Sequence, residues 1–362
     1  MNPEPPRKRR SPVNWTAVIV VGSAALLLIF AIAANVDFAR THRYGLESGA
    51  ADAAAAAAAK ATAHASDAAG SSAAPSAAAS AARTASAAVT AASEAPGAPQ
   101  AFVPPSETKF PDGEYGKIIR LGEQVFMNTG KYAARYVGND LSCANCHLDA
   151  GRKPDSAPLW AAFIHYPAFR SKTGKVDTLA SRIQGCFEFS MNGKAPPQDD
   201  EIMTALQAYA FWLATGAPVG TAVPGSGYVK LKKPAQAPDF ARGEKVYQEN
   251  CALCHGANGE GQKAQEQQVF PPLWGPRSFN WGAGMHQLAN ASGFIQANMP
   301  LGKGGSLSEQ QAWDVATFMN SHERPQDPRF EGSVEATRKK YHNTDDSLYG
   351  LTVNGHVLGS GR

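Results

Sequence analysis

The chain has 362 residues, with 34 Lys and Arg against 31 Asp and Glu, a formal charge of +3, and five cysteines. That length suits two ordinary domains with additional segments. The near-balanced charge gives no sign of a nucleic-acid partner.

The chain opens on a basic stretch, residues 1–12, which includes Arg7-Lys8-Arg9-Arg10. An apolar run from Trp15 to Ala34 follows with no charged interruption. Residues 13–35 therefore read as a transmembrane anchor whose basic flank stays cytoplasmic, which places the remainder in a bacterial periplasm. The competing reading is a cleaved signal peptide, because Ala31-Ile32-Ala33 offers a small-residue cleavage site. Residues 36–104 are dominated by Ala, with Ser, Thr, Gly and Pro, and hold too few large apolar side chains to fold as a domain. The Ala53–Ala65 stretch favours transient helix. As a flexible coil, roughly fifty such residues span about 40 Å root-mean-square, a tether for a mobile domain.

From Pro105 the sequence reads as two copies of one plan, residues 105–223 and 224–328, ahead of a tail, 329–362. The first copy opens with an expected helix over Glu114–Thr129, carrying Ile118, Ile119, Leu121, Val125 and Phe126 on one broad face. It closes with a helix started by Asp199 or Asp200, continued by Ile202, Leu206, Tyr209, Phe211 and Leu213, and stopped at Gly216. In the second copy Asp239 caps a shorter helix through Val246 and Tyr247. Ser308 and Gln311 form a capping box for the closing helix, with Pro325 just beyond its end. The stretches between are rich in Gly and Pro with little strand signal, so the expected class is all-α. The tail carries no readable chemistry, although Tyr341, Tyr349 and Leu351 are expected to pack on the second domain.

Each copy holds one C-x-x-C-H run, Cys143-Ala-Asn-Cys146-His147 and Cys251-Ala-Leu-Cys254-His255. This spacing is that of covalent haem attachment: two thiols bond the vinyl groups and the adjacent histidine ligates the iron. A redox dithiol needs no following histidine, and a zinc site would need further ligands at short spacing. Two haems c would also supply core that such short segments lack.

The second iron ligands decide what kind of cytochrome this is. In the second copy Met299, 44 residues after His255, is the expected ligand, with Met285 its rival; His286 and His322 read as ordinary polar residues. In the first copy Met191 also lies 44 residues after its haem histidine, yet the fifth cysteine, Cys186, sits five residues earlier. A thiolate ligand at Cys186, a methionine ligand at Met191 and a merely buried cysteine all remain open on spacing alone.

The runs Arg182-Ile183-Gln184-Gly185-Cys186 and Ser190-Met191-Asn192-Gly193-Lys194 resemble the active-site segment of the dihaem thiosulfate dehydrogenases. So do Val137–Ser142, Ala157–Trp160, Asn298-Met299-Pro300 and Glu323–Arg329, which together span most of the globular region. The resemblance implies a catalytic first haem held by His147 and Cys186, and a relay haem held by His255 and Met299. Some relatives carry a lysine just before that methionine; Asn298 stands there, which implies plain histidine/methionine ligation. It also implies oxidation of two thiosulfate dianions to tetrathionate, with electrons passing to an external acceptor such as a soluble cytochrome c or a membrane oxidase. Arg182 and Ser190 match substrate-binding positions. Lys172 or Arg170 is expected to add positive charge, with Arg152 and Lys194 as weaker candidates, because two dianions need cations and arginine binds oxyanions with a planar fork. The rivals are an electron shuttle with methionine on both haems, and the same enzyme working as a tetrathionate reductase.

Overall fold

In a computed structural model, residues 102–264 and 267–361 are described. The expected anchor at 13–35 and all but the last residues of the expected linker lie outside them. Among the described residues no helix is long and apolar enough to cross a membrane.

The first domain is framed by helix α1, Gly113–Met127, and helix α4, Glu201–Leu213, which pack on one another. Helix α1 buries Ile119, Val125 and Phe126, and ends two residues before the expected Thr129. Helix α4 starts where Asp200 accepts a hydrogen bond from the Ile202 amide at 2.9 Å, so Asp200 rather than Asp199 is the cap. Between them lie helix α2 (Leu159–His165), strands β1 (Ala168–Arg170) and β2 (Lys175–Asp177), and helix α3 (Leu179–Gly185). A capping box of Thr178 and Ser181 starts α3.

The second domain repeats the frame with helix α5, Phe240–Asn250, against helix α7, Glu309–Asn320. Asp239 accepts from the Arg242 amide at 2.8 Å, and Ser308 with Gln311 forms the expected box. Strands β3 (Gln262–Ala264) and β4 (Gln267–Phe270) and helix α6 (Leu288–Asn298) complete it. The tail forms helix α8, Val334–Tyr341, and strands β5 (Thr352–Val353) and β6 (His356–Val357). The fold is thus largely helical, with three two-stranded antiparallel hairpins that the sequence pattern did not signal. Tyr349 is fully buried with Trp281 and Leu358, but Leu351, expected to pack, is 40% exposed on the hairpin.

The two frames share a contact. In α1 the run Gly122-Glu-Gln-Val125-Phe126 matches Gly243-Glu-Lys-Val246-Tyr247 in α5. A Cβ on Gly122 would sit 2.1 Å from the Ala205 carbonyl oxygen, and one on Gly243 would sit 2.0 Å from that of Asp314. Four residues further along each closing helix comes an aromatic ring, Tyr209 or Phe318. These meet Phe126 and Tyr247 at 5.9 and 5.2 Å. Only a residue without a side chain lets the backbones approach this closely.

Alanine at Gly122 or Gly243 should therefore destabilise the protein by about 1–3 kcal/mol through overpacking. Gly130→Ala, which meets no atom within 4 Å, should change stability by less than about 0.5 kcal/mol. Thermal unfolding of the three variants checks the contrast.

Candidate active site around Cys186

Both C-x-x-C-H runs fold as a single tight turn. The His147 amide donates to the Cys143 carbonyl at 3.0 Å, and the His255 amide to that of Cys251 at 2.9 Å. Each histidine is oriented by its other ring nitrogen. His147 Nδ1 lies 2.6 Å from the Ala157 carbonyl oxygen and His255 Nδ1 lies 2.9 Å from that of Pro271. A carbonyl only accepts, so Nδ1 carries the proton and Nε2 is left as the ligand atom. Burial lowers the His147 pKa to about 4 and that of His255 in the same direction, which keeps both imidazoles neutral as metal ligation requires. All five cysteines are unpaired. Burial raises the Cys143 and Cys146 thiols to about 12 and that of Cys251 to about 11. The donor sets fit two covalently attached haems.

Cys186 opens a π-turn, Cys186–Ser190, that continues directly from α3. Such a turn shifts the hydrogen bonding by one residue and is frequent at functional sites. Each of its five carbonyls has a partner. The Met191 amide donates to Cys186 and the Gly193 amide to Phe187, both at 2.9 Å. The Asn280 side chain donates to Glu188 at 2.9 Å, and its backbone amide to Phe189 at 3.2 Å. The Asn139 side chain donates to Ser190 at 2.8 Å and also reaches the Ser278 carbonyl at 3.1 Å. Backbone groups this enclosed need such partners, and here the second domain supplies two of the five.

Arg182, one helical turn before Cys186, places Nη1 2.9 Å from Cys186 Sγ. Among the described residues it has no carboxylate partner, and the neighbouring sulfur raises its pKa further. Ser190 uses its carbonyl structurally, while its hydroxyl makes no hydrogen bond to another described residue. Lys172 lies over the Phe189 ring, 4.2 Å from the centroid, and donates to the Gly282 carbonyl. Burial lowers its pKa to about 7, reinforced by Arg329, Arg182 and Arg170 and opposed by Asp327. Arg182 and Lys172 thus bring two cations to the neighbourhood of Cys186, neither of them paired with a carboxylate among the described residues.

The other candidates separate from this group. Arg170 pairs with Asp177 at 3.5 Å, and Lys194 is exposed. Arg152 donates to the Pro105 carbonyl, sits 3.6 Å from Glu107 and covers Trp212. Met191 is 4% exposed and belongs to the protein core, whereas Cys186 is only half-buried. Met299 follows α6 directly; it and its rival Met285 are both half-buried and pack against the core, and the Met285 carbonyl takes the Asn320 side chain. Asn298, immediately before Met299, donates to the Asp155 carbonyl at 3.1 Å, across the domain boundary. His322 stacks on Trp274 at 4.2 Å. Arg329 also flanks Phe189, at 5.0 Å. The residue-by-residue reading missed it because nothing local marks an arginine 140 residues from the ring it covers.

Residues 240–323 match the family described as cytochrome c, and residues 131–219 the SoxA/TsdA cytochrome c domain. The chain is 57% identical over 265 residues to a thiosulfate dehydrogenase of Thiomonas intermedia, covering 73% of this chain and 84% of that protein. A second thiosulfate dehydrogenase, of Stutzerimonas stutzeri, is 55% identical over 262 residues, or 72% and 85% of the two chains. Among solved structures, thiosulfate dehydrogenase (TsdBA) from Marichromatium purpuratum in its as-isolated form superposes with a TM-score of 0.70 at 52% identity. The match covers 73% of this chain and 59% of that one.

A doubly charged oxyanion in the pocket should bind more weakly as pH rises through about 7, where Lys172 loses its proton. Affinity should fall by up to about tenfold per pH unit above that point. Lys172→Met should flatten the profile, and calorimetric titration across the range checks both.

Proposed function

The chain belongs to the thiosulfate dehydrogenase family of dihaem c-type cytochromes, and from this premise we propose that its pocket around Cys186 joins two thiosulfate dianions into tetrathionate. It is an oxidoreductase with two covalently bound haems c, attached at Cys143/Cys146 and Cys251/Cys254. The observation that carries the pocket assignment is the 2.9 Å contact between Cys186 Sγ and an arginine with no carboxylate partner among the described residues. A guanidinium so placed presents its remaining donors to an oxyanion beside the cysteine sulfur.

In this reading His147 and Cys186 would hold the iron of the first haem, and His255 and Met299 that of the second. A histidine and methionine pair would raise the potential of the second haem, which would favour electron transfer from the first domain to the second. When bound, the two haems take up the two electrons and relay them outward. Arg182 and the Ser190 hydroxyl hold the sulfonate end of the first thiosulfate and leave its outer sulfur beside Cys186. Loss of two electrons joins that sulfur to the cysteine sulfur as a disulfide-linked sulfonate. The second thiosulfate attacks the outer sulfur of this adduct, releasing tetrathionate and restoring the Cys186 thiolate. No proton is taken up or released, so the pocket needs cations rather than a general base. The π-turn keeps Cys186 in place throughout, since all its carbonyls are already paired.

The basic segment 1–12, the apolar run 13–35 and the Ala-rich residues 36–104 support a periplasmic enzyme tethered to the inner membrane. The tether would keep it within reach of a soluble cytochrome c or a membrane oxidase as acceptor.

Cys186→Gly should retain both covalent haems and lose thiosulfate oxidation by at least about a hundredfold in kcat, while Arg182→Leu should lower kcat/KM by about 10- to 100-fold. Paramagnetic-resonance spectra of the oxidised protein should show thiolate ligation at one haem in the wild type and none in Cys186→Gly. Full activity of Cys186→Gly, or two methionine-ligated haems, would refute the assignment and favour an electron shuttle.

A further inference from the structure

Arg182 and Ser190 account for one thiosulfate, yet the reaction brings a second dianion into the same pocket. Their mutual repulsion requires further positive charge placed for the second molecule. The strongest cluster of basic and titratable groups outside the first subsite surrounds the ring of Phe189, the residue just before Ser190. Lys172 Nζ lies 4.2 Å from its centroid and the Arg329 guanidinium 5.0 Å. Gly282, whose carbonyl accepts from Lys172, also touches this ring; a Cβ there would come within 2.4 Å of it.

Lys172 has no carboxylate partner among the described residues. Arg329 is different. Its Nε and Nη2 bind the two oxygens of Asp327 at 2.9 and 2.6 Å. Asp327 also accepts from His342 Nε2 at 2.9 Å, and both Asp327 and His342 are 1% exposed. Burial alone would raise the Asp327 pKa, but the bonds from His342 and Arg329 outweigh it and hold the carboxyl well below its usual range. His342 is itself fixed: its ring stacks on Tyr349 at 4.3 Å, and Nδ1 lies 3.2 Å from both His286 Nε2 and Ser347 Oγ. This buried chain runs from the tail to a cation at the pocket, and the reaction as derived above does not use it. A full hydrogen-bond set on a buried carboxylate is a costly arrangement for a surface arginine and a fitting one for an arginine that must hold a set position.

We propose that Lys172 and Arg329 form the subsite for the second sulfur oxyanion, and that the tail positions Arg329 there through His342 and Asp327. The assignment rests on the Cys186 pocket holding the first thiosulfate. Lys172 and Arg329 contact substrate; Asp327 and His342 are positioning residues.

Tetrathionate carries a sulfonate at each end and so spans both subsites, and in oxidised holoenzyme carrying Cys186→Gly there is neither an electron to reduce it nor a cysteine sulfur to exchange with it. Calorimetric titration of that oxidised full-length dihaem Cys186→Gly protein with tetrathionate, with each further substitution made in the same background, therefore reads occupancy without reaction. Arg329→Gln and Lys172→Met should each weaken binding by about tenfold or more, and His342→Gln and Asp327→Asn by about three- to tenfold. In steady state, with Cys186 in place, the positioning variants should raise KM for thiosulfate with kcat changed by less than about twofold, and should leave the absorption spectra of both haems unaltered. A merely structural role would lower kcat, haem content and folded yield together. Unchanged tetrathionate affinity in folded, dihaem Lys172→Met and Arg329→Gln overturns the second subsite, and if Arg182→Leu still weakens binding the first survives. Unchanged affinity in Arg182→Leu overturns the Cys186 pocket itself and the shared site with it.

Discussion

Of the five consecutive backbone carbonyls from Cys186 to Ser190, that of Cys186 takes the turn's own bond from the Met191 amide, and the other four are paired by groups beyond it. Their partners come from three places: the segment just after the turn, Asn139 ahead of the first haem motif, and Asn280 in the second domain. An enclosed carbonyl without a donor costs about 1–3 kcal/mol, so each of these donors is close to obligatory. Cys186 is consequently held by both domains at once. The same demand brings residues 280–282 against Phe189, and Gly282 then supplies the carbonyl that receives Lys172. Pocket and domain interface are two results of one backbone constraint.

Around that interface the two domains stand on matching helix crossings. The run Gly-Glu-x-Val-aromatic places a glycine against a carbonyl and an aromatic ring against another in each domain. In both, the helix that carries this run leads toward a C-x-x-C-H turn. A shared frame with different contents is what the chemistry requires. The first domain surrounds its haem turn with cations and a spare cysteine, and the second with apolar packing and a methionine after α6.

Much of this was legible in the amino-acid sequence, because its signals are local. Caps at Asp200, Asp239 and Ser308 announce themselves by residue type and by the apolar pattern that follows. Two C-x-x-C-H runs declare their chemistry by spacing alone. The hairpins were invisible because strands of two to four residues carry no periodicity. The π-turn was hidden because its extra residue leaves no mark in composition. Arg329 stands in the family-like run Glu323–Arg329, but its place beside Phe189, 140 residues away, and the His342 bond to Asp327 from a tail that looks like a polar appendage leave no local mark. The repeated Gly-Glu-x-Val-aromatic run could have been found by setting the two copies side by side, but its purpose shows only once the crossing helices are seen.

Asn298 joins Met299 to Asp155, two residues from the carbonyl that orients His147, while Asp140 bonds Arg277 across the same boundary. The two redox centres are thus mounted on segments tied to one another rather than on modules joined by a loose strand. Electron tunnelling falls off steeply with distance, so a swinging pair of domains would make the internal transfer a matter of chance encounter. Here the Asn298–Asp155 and Arg277–Asp140 bonds work against such swinging by tying the two attachment segments together.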